Sequence, residues 1–480
     1  MAEVDIGAQM VRFLGDVLPE LTLAGGAIAI LLVALFTPRR FQAWIGALAT
    51  LILAAAGFFA GRDLAGPPRL TFFDTLAVDG VGRWATLLLI VVTIFTVALS
   101  VEWFRSDARH GEYYTILLFG TLGAVLLAGA SSLMEFIVAM LLSSVTGFTL
   151  AAFHRRSRNS SEAGIKYFLL GALANGAALY GVAFLFGLGG TTTLTGLRAG
   201  LVGADPLALV VGFGLIMIGV AFKLGAVPVH PWVPDVAEGA PAPVAPFLMI
   251  VGKIGAFVFL ARLVMVIPDT ALGWRPLTAI LAAATMTLGN LAALWQTDVR
   301  RLLGWSAVSQ AGYGLLAIVA LGRSDLAIPS LLMFLVAYAL ATIAVFGVVV
   351  QLRGLTDRES YRGLAGPHPW LAAALAIGFL SFVGIPPLGG FAAKLLLMGA
   401  VIDAGYTWLA VVTVINSAIS LFYYLRVIAP AYIDKHLAAQ PVLDWRPAAT
   451  VVVTAAGVIL VGVVAQPLIG AWQLVHLLPG

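Results

Sequence analysis

The chain has 480 residues, of which 61% are hydrophobic and only 10% are charged, whereas soluble domains average about 45–50% apolar and about 25% charged residues. This composition excludes a soluble globular protein and indicates an integral membrane protein. The formal net charge of +4 fits arginine-rich loops at one membrane face, not a nucleic-acid-binding surface.

A membrane-spanning helix needs about 20 mostly apolar residues, and fourteen stretches of the sequence meet this requirement. They cover residues 14–36, 41–61, 77–100, 113–130, 132–152, 164–188, 207–229, 242–266, 275–296, 302–321, 329–352, 370–398, 406–430 and 448–472. The connections are short, so we predict an all-α polytopic membrane protein with one membrane domain, residues 1–480. The N-terminal stretch MAEVDIGAQM lacks the pattern of a secretory signal, so we expect the first span to be retained.

The composition offers no suitable ligands for a redox cofactor. The absence of cysteine excludes disulfides, thiolate-ligated iron–sulfur clusters and catalytic thiols. The six histidines form no pair at helical spacing inside an apolar run, which argues against a bis-histidine haem. We therefore expect no cofactor and no metal on this chain.

Acidic side chains are few in the predicted spans. Glu20 and Asp79 lie near the outer ends of spans 1 and 3, where we interpret them as interfacial. Glu135 falls early in span 5, and a carboxylate in lipid is either neutral or paired. It is a candidate partner for a lysine on spans 6 to 8, or it lies solvated at the outer interface.

Lysines are distributed differently from arginines. Only five of the 27 basic residues are lysine, and four of these five fall within predicted spans, namely Lys166, Lys223, Lys253 and Lys394. A charged lysine at mid-span costs about 2.5–3.5 kcal/mol on insertion scales. A desolvated lysine can release its proton, whereas arginine stays charged. The four lysines therefore indicate a proton pathway, although Lys166 lies near a span start and could instead extend to the interface.

Span 7 is interrupted in the stretch FKLGAVPVHPWVPDVAEGAPAPVAPF, residues 222–247. Gly225, Pro228, Pro231 and Pro234 should stop a helix that begins near Leu207, because proline removes a backbone donor and clashes with the preceding turn. Backbone freed in this way survives in a membrane only against protein or a wet cavity. The polar residues of the break, His230, Asp235 and Glu238, are candidates for proton uptake. The alternative role of the two carboxylates is to cap the next helix.

Span 12 is interrupted in the same manner in FLSFVGIPPLGGFAAKLLLMG, residues 379–399, and Lys394 follows the break. The breaking residues are Gly384, Pro386, Pro387, Gly389 and Gly390. The two interruptions lie five spans apart, which predicts two five-helix repeats inserted with opposite topology, spans 4–8 and spans 9–13. Inverted repeats with broken helices at matching places are typical of ion pathways near the membrane midplane.

These repeats divide the membrane domain. We expect N-terminal helices 1–3 at residues 1–112, repeat one at 113–266, repeat two at 275–430, and helix 14 at 448–472. Fourteen basic residues fall in loops after odd-numbered spans and six on the other face. The positive-inside rule then places the odd loops in the cytoplasm and both termini outside.

Several motifs extend over most of the chain from span 4 to span 13. They are GIKYFLLGA at 164–172, FKLGAVPVHPWVPDVAEGAPAPV at 222–244, GNLAALWQTDVRRLLGWSAVSQAGY at 289–313, SFVGIPPLGGFAAK at 381–394 and NSAISLFYYLRVI at 416–428. In combination they are highly specific. The sequence resembles the antiporter-like membrane subunits of respiratory complex I and the related Mrp-type cation/proton antiporters.

The resemblance implies a bacterial inner-membrane subunit without a redox centre, which moves protons while partner subunits with FMN, iron–sulfur clusters and bound quinone carry electrons from NADH to quinone. Its expected partners are the other membrane-arm subunits, including sister antiporter-like subunits. It assigns proton-transfer roles to Lys223, Lys253 and Lys394, and matches Lys166 to the lysine of a KYF motif. The alternative is a free-standing or Mrp-type sodium/proton antiporter subunit; a subunit of another complex with such a membrane arm, or a purely structural subunit, is a further possibility.

One position departs from the family pattern. The family commonly has a glutamate before LLS in span 5, and here Met140 precedes that tripeptide. Glu135 would lie on a helix face rotated by roughly 140° from position 140. Either span 5 is locally shifted or Lys223 has another partner. The route we hypothesise runs from the cytoplasmic break through Lys223 and Lys253 to Lys394, with Tyr338 and Ser309 as candidate bridging groups.

Overall fold

A computed structural model describes residues 13–64, 66–107, 109–269, 273–353, 355–434 and 444–478. The first twelve residues lie outside the described part. So do Lys435 and the side chain of Arg40, which we counted above among the basic residues of the loops. The elements in chain order are α1 Leu18–Phe36, α2 Ala43–Asp63, β1 Arg69–Thr71, β2 Leu76–Val78, α3 Gly80–Ser100, α4 His110–Gly129, α5 Leu133–Ala151, α6 Arg158–Gly189, α7 Leu194–Gly200, α8 Pro206–Leu224, α9 Trp232–Gly239, α10 Val244–Val266, α11 Trp274–Ala293, α12 Val299–Ala320, α13 Ala327–Gln351, α14 Pro369–Val383, α15 Gly389–Asp403, α16 Thr407–Ile433, α17 Trp445–Val463 and α18 Ala465–Gln473, with 3-10 turns at Arg39–Phe41 and Arg358–Tyr361.

The prediction of an all-α polytopic membrane protein is confirmed. Within the described residues thirteen helices are long and apolar enough to cross a membrane, and α14 and α15 together form the predicted broken span. The predicted last span is too long, because α17 ends at Val463 and the shorter α18 follows. A hairpin between α2 and α3 was not predicted; its two three-residue strands pair antiparallel, Arg69 opposite Val78.

The core of the molecule is made by α10, α12 and α13, which are buried along almost their whole length. The outer helices α1, α2 and α6 bury one side only and leave large apolar side chains exposed, as expected for a surface that faces lipid. Lysine, glutamine, serine and tyrosine side chains on the three core helices therefore lie inside the protein.

The two broken helices have the same construction. α8 ends at Gly225 and α14 at Gly384, and both glycines adopt the left-handed conformation, with φ of 68° and 92°. This conformation strains any residue with a Cβ. In each case the next amide, of Ala226 or Ile385, donates to a carbonyl five residues earlier, as in a Schellman cap. A cis X-Pro bond follows at the same distance from each glycine.

A close contact between two neighbouring helices also occurs twice in the chain. A Cβ on Gly123 in α4 would lie 2.7 Å from the backbone nitrogen of Ser143 in α5, and a Cβ on Gly289 in α11 would lie 2.5 Å from that of Ser309 in α12. Each glycine precedes its serine by the same number of residues. On these parallels we propose that α4–α10 and α11–α16 are two structural repeats.

Not every predicted breaker ends a helix. Gly225 terminates α8, whereas Pro231 and Pro234 lie at the N-cap and in the first turn of the short helix α9. Proline is tolerated there because first-turn amides have no intrahelical acceptor. The interruption therefore consists of residues 225–231, followed by a helix that the prolines begin.

Two acidic residues that we expected at the interface are buried. Asp79 caps α3 through the Gly82 amide and forms a double ion pair with Arg262 of α10, and both side chains are fully buried. Glu20 is 7% exposed and accepts a hydrogen bond from Arg83 Nη1 at 2.8 Å. Both carboxylates lie at helix ends, where we expected them, but they are paired inside the protein with arginines of neighbouring helices that are distant in sequence.

Candidate proton pathway

Lys223 lies in the last turn of α8, directly before the Gly225 break. Its side chain is 2% exposed, and Nζ donates a hydrogen bond to the Ser143 hydroxyl of α5 at 3.1 Å. A cation near a helix C-terminus interacts favourably with the helix dipole. The position also brings Lys223 close to α10, since a Cβ on Gly252 would lie 3.7 Å from the lysine Cδ.

Position 140 in α5 holds a thioether where the resemblance leads one to expect a carboxylate. Met140 is buried on the side of α5 that packs against α8, with its Cε 2.8 Å from an ideal Cβ on Gly219. Glu135 lies in the first turn of α5, two helical turns and roughly 12 Å before Ser143. Ser143 and not Glu135 is therefore the polar partner of Lys223.

Lys253 lies in the middle of α10 and is 1% exposed. Its Nζ donates to the backbone carbonyl of Ala307 on α12. The ammonium also lies 5.2 Å from the ring centroid of Tyr338 on α13, a distance at which the ring face stabilises a cation. The three core helices thus meet around this lysine.

Lys394 lies in the second half of the other broken helix, on α15. It is 5% exposed, and Nζ donates to the Val383 carbonyl at 3.0 Å and to the Ser417 hydroxyl at 2.9 Å. Val383 is the last residue of α14, so its carbonyl is one that the break leaves without a helical partner. The ring of Tyr313 lies 3.9 Å from the ammonium. The predicted combination of freed backbone and a buried cation is present here.

One face of α12 connects the second and third lysines. Ala307 accepts from Lys253, Gln310 one turn later donates from Nε2 to the Phe382 carbonyl at 3.2 Å, and Tyr313 a further turn along contacts Lys394. Phe382 directly precedes Val383, the acceptor of the Lys394 ammonium. Residues three apart on a helix share one face, so the contacts of Lys253, Gln310 and Lys394 follow one another along the same side of α12.

A polar network packs behind this face. The Tyr423 hydroxyl donates to Asn290 Oδ1 at 2.9 Å, Asn290 Nδ2 donates to Asn416 Oδ1 at 3.0 Å, and Asn290 Nδ2 also reaches the Tyr313 hydroxyl at 3.3 Å. The Ser306 and Tyr424 hydroxyls are 2.5 Å apart. These groups satisfy one another inside an apolar region, which fixes the side chains around Lys394.

Lys166 lies outside this buried set. Its side chain is 44% exposed, and Nζ pairs with Glu162 and with Asp235 of α9, both at 2.8 Å. Arg301 at the start of α12 pairs with Asp235 and Glu238. The two carboxylates thus hold α9 between α6 and α12. The alternative that they cap the next helix is wrong, because α10 begins at Val244 and its N-cap residue Pro243 has no side-chain cap.

His230 lies in the break between α8 and α9. The residue is 9% exposed, and its ring is 5.5 Å from that of Trp305 on α12. A neutral imidazole can both accept and donate a proton. It is the candidate uptake residue whose surroundings suit that role.

Sequence reasoning missed the acceptors of the three lysines. Three of the four acceptors, Ser143, the Ala307 carbonyl and Ser417, lie on other spans than the lysines they contact. The Ala307 and Val383 carbonyls are backbone groups, which no residue type reveals in the sequence. The spacing of Ser306, Gln310 and Tyr313 inside the motif at 289–313 could have revealed the polar face of α12. Of the two proposed bridging groups, Tyr338 contacts Lys253, whereas the Ser309 hydroxyl donates to the Ser306 carbonyl within its own helix.

Metal binding has no support in the described residues, where no three His, Cys, Asp or Glu side chains are placed to share an ion. The chain is an integral, multi-pass helical protein with three buried lysines at or between two broken helices. These features define an antiporter-type membrane subunit. Residues 130–420 match the model of the NADH:quinone oxidoreductase/Mrp antiporter transmembrane family, and the chain belongs to this family.

Particular relatives narrow the comparison, and the resemblance inferred from the motifs is confirmed. The chain is 40% identical to "NADH-quinone oxidoreductase subunit N" of Mycobacterium sp. (strain JLS) over 459 residues, which cover 95% of this chain and 97% of the relative. A chain of respiratory complex I from Thermus thermophilus, solved with bound aureothin, is 30% identical with a TM-score of 0.83, covering 94% of this chain and 99% of that one. A chain of the Mrp complex from Dietzia sp. DQ12-45-1b has the same TM-score at 20% identity, covering 96% of each chain, and so shares the fold.

Proposed function

We propose that this chain is the proton-translocating membrane-arm subunit of an NADH:quinone oxidoreductase, of the subunit N type, and that it carries no redox centre itself. The observation that supports this most directly is the row of three buried lysines whose ammonium groups contact only hydroxyls, carbonyls and aromatic rings. Among the described residues none of the three forms a salt bridge. A lysine held without a counter-charge in a buried site can exist in both protonation states.

The route follows the contacts. A proton is taken up near His230, passes to Lys223 and then to Lys253, whose neighbour Gly252 packs against the Lys223 side chain. From Lys253 it moves along the polar face of α12 to Lys394 and leaves toward the other membrane face. Water molecules fill the steps that direct contacts do not bridge, as in other intramembrane relays.

The partners carry the redox chemistry. In this proposal FMN, iron–sulfur clusters and quinone belong to other subunits, and sister antiporter-like subunits and lipid surround this chain in the bacterial cytoplasmic membrane. Both termini lie outside. The complex as a whole is a translocase, and this chain contributes its proton channel.

Proton-to-electron stoichiometry tests the proposal. In inverted membrane vesicles, Lys253→Ala and Lys394→Ala should lower the number of protons taken up per NADH oxidised while the complex still assembles. Arg105→Ala is the control, since it removes an exposed cation that lies outside the route, and it should leave the ratio unchanged. The measurement compares dye-reported proton uptake with NADH absorbance in the same sample.

An unchanged ratio in both buried-lysine variants would contradict the relay. Copurification tests the alternative of a free-standing or Mrp-type sodium/proton antiporter. A stable complex with flavin and iron–sulfur subunits supports the proposal, whereas sodium-dependent proton exchange by this chain without such subunits overturns it.

A further inference from the structure

A groove outside the proton pathway lies between α2, α3 and α17. Its volume is about 340 Å³, comparable to the smaller ligand sites of proteins. Both α2 and α17 pack against α3 but leave a gap between them, and we call this gap the α2–α3–α17 groove. Its walls include Gly46 and Ala47 of α2, Ala98 at the end of α3, and Arg446 and Ala449 of α17.

The walls are mostly apolar, with small side chains on α2 and larger aliphatic and aromatic side chains on α3. The two threonines present no free donor, because the Thr50 hydroxyl donates to the Gly46 carbonyl at 2.9 Å and the Thr450 hydroxyl to the Arg446 carbonyl at 3.0 Å. Apart from the Arg446 guanidinium, the walls offer few partners for ordered water, which needs several polar groups. The groove therefore suits a hydrocarbon occupant.

The depth of the groove matches one membrane leaflet. It spans the first two turns of α2 and of α17 and the last two turns of α3, roughly 12 Å along the helix axes. The hydrocarbon region of one leaflet is about 15 Å thick. An acyl chain that enters from the helix ends would thus lie at its normal depth.

A cation and an aromatic ring stand at the mouth of the groove. Arg446 is half-buried, its guanidinium lies 5.2 Å from the Trp445 ring, and within the described residues it makes no salt bridge. The nearby Asp444 caps α17 through the Arg446 amide and lines a neighbouring pocket. Trp445 is 72% exposed, as tryptophans at the lipid headgroup level are.

We propose that the α2–α3–α17 groove binds one anionic phospholipid. An acyl chain fills the apolar walls, Arg446 pairs with the phosphate, and Trp445 packs beside the glycerol region. Charge complementarity selects the anionic lipid, since Arg446, which has no carboxylate partner among the described residues, lines the groove at the end of the molecule where the arginine-rich loops lie. The site is independent of the lysine route.

Photo-crosslinking of the assembled complex tests the site. The complex that contains this chain is placed in nanodiscs with phosphatidylglycerol carrying a diazirine on one acyl chain, and labelled peptides are identified by mass spectrometry. We expect label on residues 43–50, 94–101 and 445–453, and competition by unlabelled phosphatidylglycerol but not by phosphatidylcholine. Arg446→Gln should weaken the competition about fivefold, and Ala47→Phe should abolish the label by filling the groove.

Two control variants distinguish lipid binding in the groove from a general attraction of lipid to the protein surface. Arg105→Gln removes the same charge from an exposed arginine of a loop at the same end, and Ala54→Phe adds the same ring to the outer side of α2. Neither should alter the label. The proposal is overturned if both lipids compete equally, if Arg105→Gln weakens labelling as much as Arg446→Gln, or if the groove peptides crosslink to a neighbouring subunit instead of the lipid.

Discussion

At the scale of single residues, we could predict from the sequence which charged side chains lie within the spans, but not which groups they contact. Lys253 and Lys394 stood out because lysine is rare in this chain and costly in lipid. Their acceptors, the Ala307 and Val383 carbonyls, depend on how distant helices meet. The same limitation explains Asp79, whose partner Arg262 lies on another helix far along the chain.

The Asp79–Arg262 pair provides a prediction for stability. Asp79→Asn leaves a fully buried guanidinium without its counter-charge, which typically costs about 3–5 kcal/mol. We expect the purified complex to lose heat stability, measured by the temperature at which it dissociates. Replacing both residues, as Asp79→Asn with Arg262→Met, should restore part of that loss because no unpaired charge remains.

The exposed pair Glu102–Arg105 is the control for this measurement, since Arg105 is 72% exposed in its side chain. Exposed pairs contribute about 0–1 kcal/mol, so Glu102→Gln should leave the dissociation temperature nearly unchanged. An Asp79→Asn complex as stable as the Glu102→Gln complex would show that the buried pair is not needed.

At the scale of secondary-structure elements, glycine and proline predicted both interruptions, because their backbone restrictions act locally. The sequence could not show how each gap is closed. The second break is packed so closely that a Cβ on Gly390 would lie 1.8 Å from the Ser381 carbonyl oxygen, and one on Gly462 of α17 1.9 Å from that of Pro387. The small hairpin before α3 escaped prediction because its strands are only three residues long.

Gly390→Ala tests this packing. The added methyl group cannot fit against the Ser381 backbone, so α14 and α15 must separate, at a cost of at least about 1–3 kcal/mol. We expect less assembled complex in membranes and a lower proton-to-electron ratio in what remains, since Lys394 binds across the same break. Blue-native gels and the vesicle assay measure the two effects.

Gly214→Ala is the matched control, because a Cβ there meets nothing within 4 Å and alanine is the better helix former by about 1 kcal/mol. This variant should assemble as well as the unmodified chain. If Gly390→Ala behaved like Gly214→Ala, the two halves of the broken helix would not be in close contact in the membrane.

At the scale of the whole molecule, the loops separate into two sets by their order in the chain. Loops after odd-numbered spans contact one another, as where Arg109 donates to the Phe153 carbonyl and Arg300 to that of Ala237, both at 2.8 Å. Loops after even-numbered spans meet at the opposite end, where Ser324 donates to Asp403 at 2.8 Å. This parity follows from span counting alone, which is why the architecture was more predictable than any single contact.

The parity of the loops does not say which end of the molecule faces the cytoplasm, and the charges of the loops predict this orientation. The arginine-rich odd loops should face the cytoplasm, and the natural absence of cysteine allows a direct measurement with single-cysteine variants. A membrane-impermeant maleimide added to intact cells should label Val202→Cys, in the loop after span 6, and should reach Arg156→Cys, in the loop after span 5, only after permeabilisation. Labelling of Arg156→Cys in intact cells with Val202→Cys protected would invert the molecule, and proton uptake at the Gly225 break would then start from outside.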